Sequence, residues 1–141
     1  GPRSANFIVI QKPIIMNYTS VAYCGNDHQE WIKAIDFYED DLDLLEGRLV
    51  EIVKKNNVQD AMAGVEHFQN QFIVQRNNID ELRHSIREHD GWVAGEAKEH
   101  AGRMESRHTG EHAQLKDQVE SFGKIFNELR HEFNIFLAKW M

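Results

Sequence analysis

The sequence predicts an all-α protein, an antiparallel up-down bundle of three long helices with coiled-coil-like heptad packing. Three observations predict this class. The 141-residue chain contains only two prolines, Pro2 and Pro13, so no later proline interrupts a helix. Apolar residues recur at alternating steps of three and four in three separate stretches, the pattern of left-handed helix packing. Hydrophobic residues make up 41% and charged residues 28%, the usual balance of a soluble domain with a core.

The first predicted helix begins near Glu30, with Asp27 as its N-cap, and ends in a cationic last turn. The Asn56-Asn57 pair that follows is a turn signal, and so short a connection favours an antiparallel neighbour. The apolar stripe of this helix consists of Trp31, Ile35, Tyr38, Leu42, Leu45, Leu49 and Ile52.

The second predicted helix runs from about Val58 to Asp90 and stops at Gly91, since glycine commonly follows a helix C-terminus. Gln75 is a polar residue in the stripe of this helix. Such a residue is typical of one that fixes the register between packed helices. The stripe consists of Val58, Ala61, Val65, Phe68, Phe72, Gln75, Ile79, Leu82 and Ile86.

The third predicted helix spans about Thr109 to Trp140, with Thr109 as its N-cap. Residues 91–108, between the second and third helices, form either a short fourth helix or an extension of a neighbouring helix. We expect an interruption within 91–110, because Gly91, Gly95 and Gly102 weaken helix formation there. The stripe of the third helix consists of Leu115, Val119, Phe122, Phe126, Leu129, Phe133, Phe136 and Trp140.

The domain organisation predicted from these stretches is an N-terminal arm, residues 1–27, followed by a helical bundle domain, residues 28–141. Gly1-Pro2 resembles the remnant of a cleaved affinity tag. On that interpretation residues 1–15 are derived from a vector and Met16 is the natural start.

Composition and charge narrow the function classes. The net charge of −7 argues against nucleic acid or anionic lipid as the main partner, because both need a basic face. No stretch is long and apolar enough for a membrane span. Cys24 is the only cysteine, which excludes an internal disulfide and fits a cytoplasmic location.

The main functional prediction is a small acidic bundle that acts by protein–protein interaction or self-assembly, with no catalytic motif evident. The Phe-rich stripes favour a homo-oligomer, most simply a dimer. An acidic run in the first helix offers a face for a basic protein partner. This run consists of Asp36, Glu39, Asp40, Asp41, Asp43 and Glu46.

The eight histidines support an alternative function. Extending the three apolar stripes along their helices reaches His28, His89, His108 and His112, which fall at one end of an up-down-up bundle. Imidazole suits zinc and other transition metals, and two histidines four residues apart on a helix can share one ion. The alternative is therefore a metal-binding bundle with a sensing or redox role, in which these four histidines are the ligands.

Two Glu-x-x-His motifs, Glu81 with His84 and Glu128 with His131, have the spacing that di-iron bundles use. Ligands of a di-iron bundle must point inward. Leu82 and Leu129 occupy the stripes, so both motifs are predicted to face solvent.

The His108-x-x-x-His112 pair is similar to the HxxxH motif of hemerythrin-like bundles. The similarity is confined to this pair. The HxxxxD motif of that family would place an aspartate five residues after His131, where this chain has Phe136.

Overall fold

A computed structural model describes the backbone of residues 2–55, 59–99 and 106–141 and the side chains of 25–55, 59–92 and 110–141. Within these residues there are three helices and no strand, which confirms the all-α prediction. The helices are α1 (Pro2–Lys55), α2 (Gln59–Glu99) and α3 (Ser106–Trp140). No helix in this part of the chain combines the length and apolar character needed to cross a lipid bilayer.

The start of α1 differs from the prediction. The helix already includes Asp27, so the predicted beginning near Glu30 with Asp27 as N-cap is wrong. The carboxylate of Asp27 instead lies 2.9 Å from a ring nitrogen of His112, on another helix. Residues 2–27, predicted as an arm, are helical and continuous with the rest of α1. The division into an arm and a bundle domain stays a prediction.

The ends of the other helices also differ. Helix α2 continues through Gly91 to Glu99, so the predicted stop at Gly91 is wrong, and residues 92–99 belong to α2 rather than to a separate fourth helix. The physical reason is that a glycine inside a helix costs only about 1 kcal/mol. Helix α3 begins at Ser106, so Thr109 is not its N-cap.

Two predicted connections fall on residues outside the described part of the chain. The turn at Asn56-Asn57 is one, together with Val58 of the second stripe. The interruption expected within 91–110 is the other: residues 91–99 and 106–110 are helical, and residues 100–105 are not described.

Burial follows the predicted stripes closely. Each described stripe residue is either buried or half-buried, which confirms which face of each helix points inward. The half-buried members are Tyr38, Leu82, Phe136 and Trp140. The buried apolar members that are least exposed, at 0–1%, are Ile35, Leu42, Ile52, Ala61, Phe72, Ile79, Ile86, Phe126 and Phe133.

The chain divides into two compact units. Unit 1 comprises Gly1–Ile32 with His84–Asp117, and unit 2 comprises Lys33–Arg83 with Gln118–Met141. Each unit therefore takes a segment from each of the three helices.

The core of unit 2 is apolar and rich in phenylalanine. The ring of Phe133 lies 5.1 Å from the rings of both Phe68 and Phe72, edge to face in each pair. The ring centroids of Tyr38 and Phe126 lie 5.0 Å apart. Aromatic pairs at these separations stabilise a core by about 0.5–1.5 kcal/mol beyond the area they bury.

Ion pairs join α1 and α2 within unit 2. The guanidinium of Arg83 donates to Asp36 at 2.9 Å and to Glu39 at 3.2 Å. Its pKa is raised above the ordinary value, chiefly by the hydrogen bond to Glu39. Arg76 donates in the same way to Asp43 at 2.7 Å and Glu46 at 2.9 Å.

These pairs change the interpretation of the acidic run in α1. Arg83 and Arg76 engage four of its six carboxylates, and Asp41 lies 3.3 Å from Arg130. Most of the run is therefore paired with arginines of its own unit, and a basic protein partner for this face stays a prediction.

Candidate metal centre

Three of the four histidines predicted as ligands lie together in unit 1. His28 comes from α1, His89 from α2 and His112 from α3. Their ring centroids are 5.2 Å apart for His28 with His89, 5.2 Å for His28 with His112 and 5.6 Å for His89 with His112. One ring nitrogen from each residue lies within 4.8 Å of the other two, close enough for the three to hold a metal ion.

The other predicted residues are accounted for separately. The backbone of His108 lies in α3, and its side chain is outside the described part of the structure. The two Glu-x-x-His motifs are exposed, as predicted, and the side chain of His84 is 81% accessible.

The three histidines are buried, with exposures of 3% for His28, 6% for His89 and 9% for His112. They are buried because they continue the inward-facing stripe of each helix. Trp31 covers them: its ring stacks on His112 at 4.8 Å and lies 5.4 Å from His28. An ion held here would be surrounded by imidazole and indole rings, in a medium of low polarity.

A carboxylate approaches the outer nitrogen of each histidine. Nδ1 of His28 lies 2.8 Å from Oδ1 of Asp90, and Nε2 of His112 lies 2.9 Å from Oδ2 of Asp27. Nδ1 of His89 lies 3.9 Å from Oε2 of Glu111. Ionised carboxylates accept hydrogen bonds, so in the two short pairs the imidazole N–H donates to the carboxylate.

The carboxylates connect the three helices in a ring. Asp27 of α1 pairs with the histidine of α3, Glu111 of α3 approaches that of α2, and Asp90 of α2 pairs with that of α1. Each acid is a sequence neighbour of one cluster histidine yet faces the histidine of a different helix. Each helix therefore contributes one ring and one carboxylate.

These pairs determine what the inner nitrogens can do. A neutral imidazole that donates through one nitrogen has a lone pair on the other. Nε2 of His28 and Nδ1 of His112 are both buried and have no hydrogen-bond partner among the described residues. Leaving a buried polar atom unsatisfied costs about 1–3 kcal/mol, so the arrangement is unfavourable unless something binds these lone pairs.

The cluster has nearly the dimensions of a zinc site. Zinc binds imidazole nitrogen at about 2.0–2.1 Å, which sets tetrahedral nitrogens about 3.3 Å apart. Nitrogens up to 4.8 Å apart would each need to move inward by less than about 1 Å to reach that bond length. Small rotations of the side chains can supply such a shift. Carboxylates on the far nitrogens are also the usual outer partners of metal-bound histidine, where they fix the tautomer and the ring orientation.

Sequence reasoning identified the histidines but not their partners. Asp27 was interpreted as a helix cap, and neither Asp90 nor Glu111 was singled out. A signal was present: each cluster histidine has an acidic neighbour in the dipeptides Asp27-His28, His89-Asp90 and Glu111-His112. Residues next to a buried stripe lie at its edge, where their side chains can reach an adjacent helix.

Comparison of the chain with protein-family models, with curated proteins and with solved structures finds no match. The chemistry of this centre is therefore argued from its own residues.

Proposed function

We propose that this protein binds one transition-metal ion, with zinc as the preferred ion, through His28, His89 and His112. The observation that carries the proposal is that the outer nitrogens of His28 and His112 pair with carboxylates, while their inner nitrogens are buried without a hydrogen-bond partner among the described residues. The lone pairs of these inner nitrogens are therefore available to bind a cation. Among the alternatives from the sequence, the metal-binding function has the stronger support.

The donor set favours zinc and excludes the hard cations. Calcium and magnesium prefer oxygen ligands, whereas imidazole suits zinc, copper, nickel and iron. Asp90 and Asp27 accept hydrogen bonds from the outer nitrogens of His28 and His112, and Glu111 lies 3.9 Å from Nδ1 of His89, so the carboxylates act as partners of the ligands rather than as ligands themselves. Three protein ligands leave one position of a tetrahedral ion for a fourth group. His108, the remaining member of the predicted set, precedes His112 by one helical turn and is the fourth ligand we propose.

The proposal is tested by metal binding to the full chain, purified without a histidine tag or a nickel column. We expect elemental analysis to find one zinc ion per chain, and titration with zinc to give the same stoichiometry. Calcium and magnesium should not compete. Zinc well below one equivalent per chain would contradict the proposal.

Matched histidine variants locate the site. His112→Ala removes a cluster ligand and should weaken zinc binding by at least about 100-fold, more than the loss of an outer partner. His84→Ala removes an exposed histidine and should bind like the wild type. His108→Ala tests the fourth ligand, and it should lower zinc affinity by about 10-fold or more. Wild-type affinity in this variant would show that His108 is not a ligand and would leave the three-histidine site unaffected.

The up-down order of the helices also belongs to this proposal, and contacts in unit 2 support it. Arg83 pairs with Asp36, whereas Arg76, earlier in α2, pairs with Asp43, later in α1. Contacts that run in opposite directions along two helices are those of antiparallel neighbours. The three-and-four spacing of the buried positions likewise supports heptad packing.

Self-association is a second candidate function, and exposed apolar side chains in unit 2 favour it. Leu44 is 69% exposed, Ile135 61% and Phe37 60%. Leu44 also lines a groove together with Leu137 and Met141. We expect light scattering with size-exclusion chromatography to show a dimer that Leu44→Glu weakens. A wild-type monomer of 16.5 kDa at high concentration would exclude this function.

A further inference from the structure

The composition of the unit 1 core bears on how the proposed metal would act. Six described residues of unit 1 are buried, and three of them are histidines. The other three are Trp31, Ile86 and Leu115. In unit 2, Gln75 is the one polar side chain among the described buried residues. Among the described residues, the part of unit 1 around the cluster therefore buries as many histidines as apolar side chains, whereas unit 2 buries almost only apolar ones.

The histidines are also the contact point of the three helix segments in unit 1. Each ring touches the other two, and each comes from a different helix. The carboxylate ring joins the same three helices at their edges. When no cation is bound, Nε2 of His28 and Nδ1 of His112 are therefore buried polar atoms that water would solvate better.

We infer that metal occupancy controls the order of the three helix segments around the cluster, residues 25–32, 84–92 and 110–117: the bound ion closes them, and its removal lets them open locally while unit 2 stays folded. This regulation rests on the proposed metal binding. The physical basis is linkage, since an ion that binds only the closed arrangement stabilises that arrangement in proportion to its affinity and concentration. The ligands are too far apart along the chain to form the same site once the helices separate.

Hydrogen exchange of the full chain, followed by mass spectrometry, tests this inference. With zinc present, amides in residues 25–32, 84–92 and 110–117 should exchange slowly. After a chelator removes the zinc, their exchange should rise at least tenfold, while amides in residues 42–52 and 122–133 should keep their rates. The exposed-histidine variant His84→Ala should behave like the wild type in both states.

A second variant is designed to fold without zinc, so that the test does not depend on a protein that fails to fold. Replacing the cluster with leucine, as His28→Leu, His89→Leu and His112→Leu together, removes the unsatisfied nitrogens of His28 and His112 and puts apolar side chains of similar volume at the cluster. We expect slow exchange in unit 1 of this variant with or without zinc.

The possible results distinguish a failure of this inference from a failure of the proposed zinc binding. If zinc does not bind the wild type, the proposed function fails and the inference fails with it. If zinc binds with the expected stoichiometry but exchange in unit 1 does not change, the inference alone is wrong. It is equally wrong if removing zinc raises exchange in both units alike, because the chain then opens as one cooperative body.

Discussion

Units 1 and 2 are built from the same three helices but have different cores. Unit 2 buries leucine, isoleucine and phenylalanine, and its arginines pair with carboxylates at its edge. Unit 1 buries three imidazoles and pairs them with carboxylates. In unit 2 the hydrophobic effect is the main contribution to the packing. In unit 1 an inward-facing position of each helix carries a histidine, whose imidazole can bind a metal. A metal site within a helical core requires such side chains.

The largest expected effect is the loss of an aromatic side chain from unit 2. Phe133 is 0% exposed and contacts Phe68 and Phe72. Phe133→Ala should lower the free energy of unfolding by about 3–5 kcal/mol, because it leaves a cavity. Chemical denaturation measures this, and the loss should be the same with zinc and with chelator. A loss that zinc reverses would contradict the contrast between the units.

The next effect concerns unit 1. Asp90→Asn keeps the shape of the side chain but removes the charge beside Nδ1 of His28. Zinc affinity should fall about 10–100-fold, the usual cost of losing an outer partner of a metal-bound histidine. Competition with a chelator of known affinity measures it. Asp80→Asn, in unit 2, is the control; an equal loss there, or none in Asp90→Asn, would show that Asp90 does not support the site.

A pair of glycines in unit 2 gives a smaller effect. A Cβ at Gly64 would lie 2.5 Å from Cε2 of Phe136, whereas one at Gly47 would meet nothing within 4 Å. Gly47→Ala should raise stability by about 0.5–1 kcal/mol, because alanine favours the helix. Gly64→Ala should be less stable than Gly47→Ala by about 1–3 kcal/mol, the cost of displacing a packed ring. Equal melting temperatures of the two variants would contradict the close packing at Gly64.

The smallest effect is expected at the edge of unit 2. Arg83→Gln removes the hydrogen bonds to Asp36 and Glu39, both partly exposed, and should cost about 1 kcal/mol. Because salt screens such pairs, the difference from wild type should shrink at high salt concentration. The raised pKa of Arg83 keeps the guanidinium charged as pH rises, so its contribution is lost only when the pH rises above that pKa. A loss of several kcal/mol would indicate that the pair is more than an edge contact.

Much of the fold could be predicted because burial in a helix follows its period. The stripe from Trp31 to Ile52 and that from Leu115 to Phe133 were predicted residue by residue, and the structure buries or half-buries each described member. Extending the same period led to His28, His89 and His112. The helix ends were harder, because the signals at Asp27, Gly91 and Thr109 are weak local preferences that a continuing helix overrides.

The carboxylate partners could not be predicted by the same means. Periodicity indicates which face of a helix points inward, but not which neighbouring helix a residue at the edge of that face will reach. Asp27 and Asp90 are neighbours of histidines in the sequence, and their pairing across helices depends on how each helix is rotated and offset. These quantities arise from packing the whole core.

The ring of pairs in unit 1 has a consequence for the order of folding. The bond between His28 and Asp90 joins residues 62 positions apart, and that between Asp27 and His112 joins residues 85 positions apart. The entropy lost in closing so long a loop is large unless the intervening chain is already compact. That chain includes Lys33–Arg83, all of which belongs to unit 2. The shorter contacts between α1 and α2 in unit 2, such as Arg76–Asp43 and Arg83–Asp36, should therefore form before the His28–Asp90 pair and bring those two residues within reach of each other.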